Sequence, residues 1–282
     1  MRCGNEEYYV ATFQNNPQGA KILANELLGT RLAARMGLPA VAVVEVRESL
    51  IEQTEDLVIQ LGRGRARCRA GLQFGSRCPG SPAETVVYDF LPDEQLREVE
   101  SLADFRGMFV FDKWTCNTNG RQAIFFRAKG ETRYQARMID QGFYFNAGEW
   151  TFPDAPLRGI YPRHRVYESV RGIESFEPWL ARVETKMTEA VLEEVFSEIP
   201  PEWCDLDALE KMVEQLLRRR KLVRDLIVSA WKSSLRTFPT GNEPCLKNNA
   251  IRFATRRISC ATNGSTSECC WKRPRARGAP YG

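Results

Sequence analysis

The sequence predicts an α+β protein of two lobes followed by a disordered C-terminal tail, and three observations carry that expectation. Over residues 8–90, segments rich in aromatic and β-branched residues alternate with one amphipathic helical pattern. A second block, ending near residue 234, holds an apolar helix, a polar loop, a hairpin pattern and two periodic helices. After Thr237 the periodicity collapses into Asn, Thr, Ser, Arg and Cys. Such a segment cannot bury enough apolar surface to offset the entropy of ordering its backbone. Its abrupt loss of pattern resembles out-of-frame translation, a segment never selected to fold.

The elements follow in order. YYVATF at 8–13 reads as a strand, and Asn15-Asn16-Pro17-Gln18-Gly19 as a turn. Leu23, Leu27, Leu28, Leu32 and Met36 recur at helical spacing, and Gly37-Leu38-Pro39 stops that helix. Short strands are expected at 41–46 and 57–61, and VVYDF at 86–90 is another, broken by Leu91-Pro92-Asp93. Residues 62–84, rich in Gly, Arg and Pro, lack the spacing of either nucleotide glycine motif and read as a solvated surface loop. Residues 102–114 form an apolar helix, 115–122 a loop, and AIFFR at 123–127 with RYQARMID at 133–140 a hairpin. Helices are expected at 181–198 and 207–233, the second opened by a capping box with Asp207 as cap. Its run Arg218-Arg219-Arg220-Lys221 reads as a solvated helix face.

Composition narrows the function. The chain has 282 residues, 43% hydrophobic and 27% charged, and no apolar run near the roughly 20 residues a membrane span requires. Residues 235–282 hold nine basic residues against Glu243 and Glu268, so they carry +7 and leave −3 of the formal +4 for the body. A slightly acidic body gives no general argument for nucleic-acid binding, so that partner is not expected. Nine unpatterned cysteines without CxxC, and the single histidine His164, leave common zinc sites and Ser-His-Asp or Cys-His catalysis without their residues. His164, between two arginines in PRHRVY, reads as a surface loop or helix start. An odd cysteine count and an N-terminus without an apolar leader point to the cytoplasm, with no membrane partner.

The chemistry lies in the order of the polar residues. Glu26 stands in the first helix, the loop Cys116-Asn117-Thr118-Asn119-Gly120-Arg121-Gln122 precedes the hairpin, and the hairpin ends in Ile139-Asp140-Gln141-Gly142. Strand, acid-bearing helix, loop, hairpin and Asp-x-Gly in that order is the layout of a protein-kinase-like phosphotransferase. A carboxylate at the hairpin end suits Mg²⁺, a hard cation that takes oxygen ligands and bridges phosphates.

Through YYVATFQNNPQGAKILANELLGTRLAARMGLP, FVFDKWTCNTNGRQAIFFR and RMIDQGFYFNAGEW, the chain resembles the HipA-like kinase family of bacterial proteins over about residues 5–234. The resemblance implies a two-lobed, protein-kinase-like fold: a small and incomplete N-terminal lobe at 1–87, a hinge at 88–92 and a helical lobe at 93–234. It implies ATP and Mg²⁺ as cofactors and a Ser or Thr hydroxyl of a protein as acceptor. The adenine would lie against Tyr88, Asp89, Phe90 and Leu91. Asp140 falls on the metal-binding Asp and Glu26 on the helix Glu, while Thr12 stands where the family has its phosphate lysine, with Lys21 the nearest lysine in sequence. Asn119 stands at the catalytic Asp, where an amide can orient a hydroxyl, and Ile124 at a metal-binding Asn, for which Gln122 would substitute. The phosphate-covering loop has little room ahead of Tyr8. Thr12 and Asn119 open a second reading, a catalytically inactive pseudokinase or binding module. A third is a weak nucleic-acid binder acting through Arg218–Lys221 and the basic tail.

Overall fold

The computed structural model describes residues 2–15, 18–38, 43–46, 51–52, 57–61 and 64–233, so the tail and its four cysteines lie outside the described residues. The chain combines three antiparallel sheets with five α-helices among those residues. β1 (Tyr9–Thr12), β5 (Gly71–Arg77) and β2 (Val43–Val46) form the first sheet in the order β1-β5-β2. β3 (Val58–Leu61) and β4 (Gly64–Arg67) make a separate two-stranded ribbon. β6 (Thr85–Tyr88), β7 (Gln122–Ala128) and β8 (Gln135–Ile139) make the third.

The stretch 62–84 is therefore no simple surface loop: its described residues carry β4 and β5. The signal was alternation hidden by arginine. Arg65, Arg67 and Arg69 are exposed while Ala66 and Ala70 are half-buried and Cys68 is buried, which is the period of a strand. β5 then pairs on both sides, with Thr12 opposite Phe74 and Val43 opposite Phe74 across the two ladders.

α1 (Lys21–Arg35) is buried nearly all round, not along one stripe, and includes Asn25, Glu26 and Thr30 among its buried residues. α2 (Asp104–Trp114), α3 (Glu177–Lys186), α4 (Glu189–Phe196) and α5 (Leu206–Ser233) complete the helical part. The expected single helix at 181–198 is two, because Met187 leaves helical geometry and the Thr188 hydroxyl caps α4 by accepting the Val191 N–H. The cap of α5 is Asp205 rather than Asp207; its Oδ1 accepts the Asp207 N–H at 3.0 Å. His164 opens a short 3₁₀ turn, as a helix start.

One hydrophobic cluster runs from Leu23, Leu27 and Leu32 of α1 through Phe74, Phe105, Phe109, Phe125 and Tyr144 to Ala230 of α5. β6 does not extend the first sheet at the expected lobe boundary; it pairs with β7, with Tyr88 opposite Phe125, and so joins the 122–139 hairpin. The basic run of α5 is also not a wholly solvated face. Arg219 is 5% exposed, and its guanidinium donates to the carbonyls of Lys113 (2.6 Å) and Trp114 (2.9 Å) and to Asp154 (2.7 Å). Those bonds satisfy α2's last turn, whose carbonyls lack helical partners.

Candidate functional site

Three elements meet at residues 140–142. α1 brings Glu26, the end of β8 brings Asp140, and the start of β7 brings Gln122 beside it by the register Gln122–Ile139. The Gln122 amide Nε2 donates to Asp140 Oδ2 at 2.6 Å. Glu26 Oε2 accepts the Gln141 N–H at 3.0 Å. A Cβ on Gly142 would stand 2.7 Å from Ile22, so glycine lets α1 approach this turn, while Glu26 Oε1 and Asp140 Oδ1 lie at ordinary contact distance, 3.5 and 3.9 Å from the same point. Asp140 itself adopts a left-handed backbone (φ 62°), a conformation Asp tolerates better than most residues and one that recurs at functional turns.

The three groups form a gradient from the interior outward: Glu26 is buried, Asp140 half-buried and Gln122 exposed. Burial first, and the Asp140 carboxylate second, push the Glu26 carboxyl up to about 8. Backbone N–H groups of Gln141 and Gly142 and the Arg121 guanidinium pull the other way. Among the described residues no lysine takes part. Thr12 lies half-buried in β1, and Lys21 donates to the Gly148 carbonyl at 3.2 Å and stands 4.6 Å over the Trp150 ring.

Asn119 lies half-buried in the loop between α2 and β7. Its Oδ1 accepts the Gly120 N–H at 2.8 Å, and its own N–H donates to Asn117 Oδ1 at 3.0 Å. Both bonds hold the loop's turn; neither connects Asn119 to Glu26, Asp140 or Gln122. Tyr88, Asp89, Phe90 and Leu91 lie at the end of β6. Tyr88 meets Tyr134 edge-on at 5.7 Å, Arg163 stacks 4.5 Å over Phe90 and donates to the Leu91 carbonyl and to Asp93, and Asp89 is exposed. The structure thus gathers Glu26, Asp140 and Gln122 and leaves Asn119 and residues 88–91 outside that contact set.

Two groups escaped the sequence reading. Asp112 and Arg121 form a buried ion pair under the loop, with Arg121 Nε 2.9 Å from Asp112 Oδ2. Arg121 also donates to the Tyr144 hydroxyl at 2.7 Å and the Ile139 carbonyl at 3.1 Å, and Asn117 Nδ2 donates to Asp112 Oδ1 at 3.2 Å. Burial opposes the charged form of Arg121, but the Asp112 carboxylate outweighs it and holds the guanidinium protonated. The second group is Asn25, fully buried in α1. Its Nδ2 faces the carbonyls of Gly142 (2.9 Å), Tyr144 (3.0 Å) and Ala147 (2.7 Å), while Trp150 Nε1 donates to its Oδ1 at 2.8 Å. Gly29 completes that docking, since a Cβ there would meet the Tyr144 ring at 2.2 Å. In the sequence Asn25 is one of several polar residues of this helix, with Glu26, Thr30 and Arg31, and nothing sets it apart.

Among the described residues no group of three or more His, Cys, Asp or Glu could hold a metal ion, and no helix is long and apolar enough to cross a membrane. No family model and no curated protein matches the chain. Among solved structures it is similar to "The structure of hydra Fam20 with sugar", at 12% identity and a TM-score of 0.45, over 82% of this chain and 80% of that one.

Proposed function

We propose that the chain is a kinase-like phosphotransferase that moves the γ-phosphoryl group of ATP to a Ser or Thr hydroxyl of a protein. The observation that supports this reading best is the convergence of Glu26, Asp140 and Gln122 from α1, β8 and β7 at one left-handed turn. The donor set fits Mg²⁺: Asp140 offers a half-buried carboxylate, and Glu26 and Gln122 offer further oxygens. Mg²⁺ is typically held by one or two carboxylates plus the phosphates of its substrate, so a cage of three acids is not required. When bound, the ion supplies charge neutralisation between the phosphates. The chain's own work is positional. Asn25 docks α1 against residues 142–150, the Asp112–Arg121 pair fixes the loop that carries Asn119, and Gln122 steadies Asp140. Asn119 would orient the acceptor hydroxyl and cannot take its proton as a carboxylate does. A loose phosphoryl-transfer transition state asks little of a base.

A second reading, nucleotide binding without transfer, is favoured by specific contacts. Thr12 supplies no charge, and among the described residues Glu26 accepts the Gln141 N–H and pairs with no lysine. The deciding experiment measures thermal stabilisation by ATP with and without Mg²⁺, then transfer of labelled γ-phosphate to a mixed protein substrate. Mg²⁺-dependent stabilisation that disappears in Asp140→Ala, together with transfer, supports the enzyme. Stabilisation without transfer supports the binding module, and no response to ATP refutes both.

A further inference from the structure

The β3–β4 ribbon carries a row of charge that the proposed chemistry does not use. Arg65 and Arg67 in β4 and Arg69 just beyond it alternate with Ala66 and Cys68, and all three arginines are exposed. Alternate residues of a strand share one face and repeat every 6.4–6.8 Å or so. The opposite face is closed: Cys68 and Ile51 are buried there, with Phe13, Leu57, Ile59 and Ala70 packed against them. None of the three arginines forms an ion pair among the described residues. Arg67 Nη2 donates to the Ile51 carbonyl at 2.8 Å, which holds that guanidinium at the ribbon surface without neutralising it.

We propose that this face of the ribbon binds an extended acidic polypeptide segment, with alternate carboxylates facing Arg65, Arg67 and Arg69. Charge complementarity supplies the first argument: an extended peptide repeats its side chains at the same interval as the strand, and Arg pairs carboxylates with its planar fork of donors. Contacts to the free edge supply the second. Asn15 Nδ2 already donates to the Arg67 carbonyl at 2.7 Å, so recognition runs through the guanidinium groups rather than through an added backbone ladder. One observation sets an acidic peptide ahead of a single-stranded nucleic acid. Such a ligand calls for aromatic stacking platforms interleaved with the charge, and the described exposed hydrophobic residue of this ribbon is Val58, at 38%.

The test titrates a fluorescein-labelled 16-residue peptide of alternating Glu and Ser into the full chain by fluorescence anisotropy at low salt. A Gln–Ser peptide and a dT16 oligonucleotide serve as comparisons. The Glu–Ser peptide should bind and weaken as salt rises, the Gln–Ser peptide should not bind, and R65E/R69E should weaken Glu–Ser binding at least tenfold. Both substitutions lie on the exposed face, and circular dichroism with a thermal melt checks that the variant is folded. R65A/R69A, expected to weaken binding by a smaller factor, separates loss of attraction from introduced repulsion. Unchanged affinity in R65E/R69E would place the binding on the basic residues of 235–282 and overturn the proposal. Tighter binding of dT16 through Arg65 and Arg69 would overturn it as well.

Discussion

Glu26 places a carboxyl where burial disfavours its charge and where Asp140 adds like-charge repulsion, so it titrates at about 8. Its proton is bound more tightly in the folded state than in the unfolded one, whose carboxyl keeps its ordinary value of 4.5. Folding stability therefore falls as pH rises from the unfolded toward the folded value, with a slope of at most about 1.4 kcal/mol per pH unit. Glu26→Gln keeps an oxygen for the Gln141 N–H and removes the titration. Its melting temperature should exceed that of the wild type at pH 8 and converge on it only below the unfolded value of 4.5; equal melting curves at pH 8 would show that Glu26 carries no such penalty. Mg²⁺ with ATP should narrow the gap at pH 8, because a cation between the carboxylates favours the ionised form. At Asn119 the substitution Asn119→Asp is isosteric and retains the acceptor for the Gly120 N–H. It should raise the rate of γ-phosphate transfer, by no more than the roughly 10²–10⁴-fold of a positioned base. A rate that falls would give the amide a role of its own.

At the scale of elements, the loop before β7 is held by Asp112 of α2 and Arg121, both under 3% exposed. Removing one partner of a buried pair leaves the other charge uncompensated, typically a loss of 3–5 kcal/mol or so. Arg121→Met should therefore destabilise the chain by about that amount in urea unfolding. A loss below about 1 kcal/mol would mean that the pair is solvated in solution. This clamp shows where legibility ended. The order of strand, helix, loop and hairpin could be read because apolar periodicity and turn residues are local, and the hairpin at 122–139 and helix at 21–35 follow from them. The pairing of Asp112 with Arg121 is also close in sequence, but a helix-end acid and a loop arginine carry no mark of burial. β4 went unread because exposed arginines masked its alternation, β5 because its buried residues Gln73, Phe74 and Gly75 are consecutive and do not alternate, and Asn25 because its partners lie more than a hundred residues away. Asp140 and Gln122 were legible as neighbours because a hairpin register brings its two ends together.

For the whole molecule, the distribution of apolar contacts decides how it comes apart. α1 and β5 contribute Leu23, Leu27, Leu28, Leu32 and Phe74 to the same cluster as α2–α5, and Asn25 ties α1 to carbonyls beyond β8. Residues on both sides of the expected hinge thus share one core, and separating them would expose fully buried side chains such as Phe109, Phe125 and Leu216. The chain from α1 to α5 should then unfold as one cooperative unit, with calorimetric and van't Hoff enthalpies in agreement. The β3–β4 ribbon stands apart from that unit. Among the described residues its own cluster holds Ile51 and Cys68 as buried members, and a two-stranded ribbon is marginal by itself in water. Hydrogen exchange should therefore show residues 58–67 opening well below the global free energy, while amides of α1 from Leu23 to Leu32 exchange only through global unfolding. Two resolved thermal transitions, the first including α1, would show that the helix belongs with the first sheet and that the shared core does not couple the two parts.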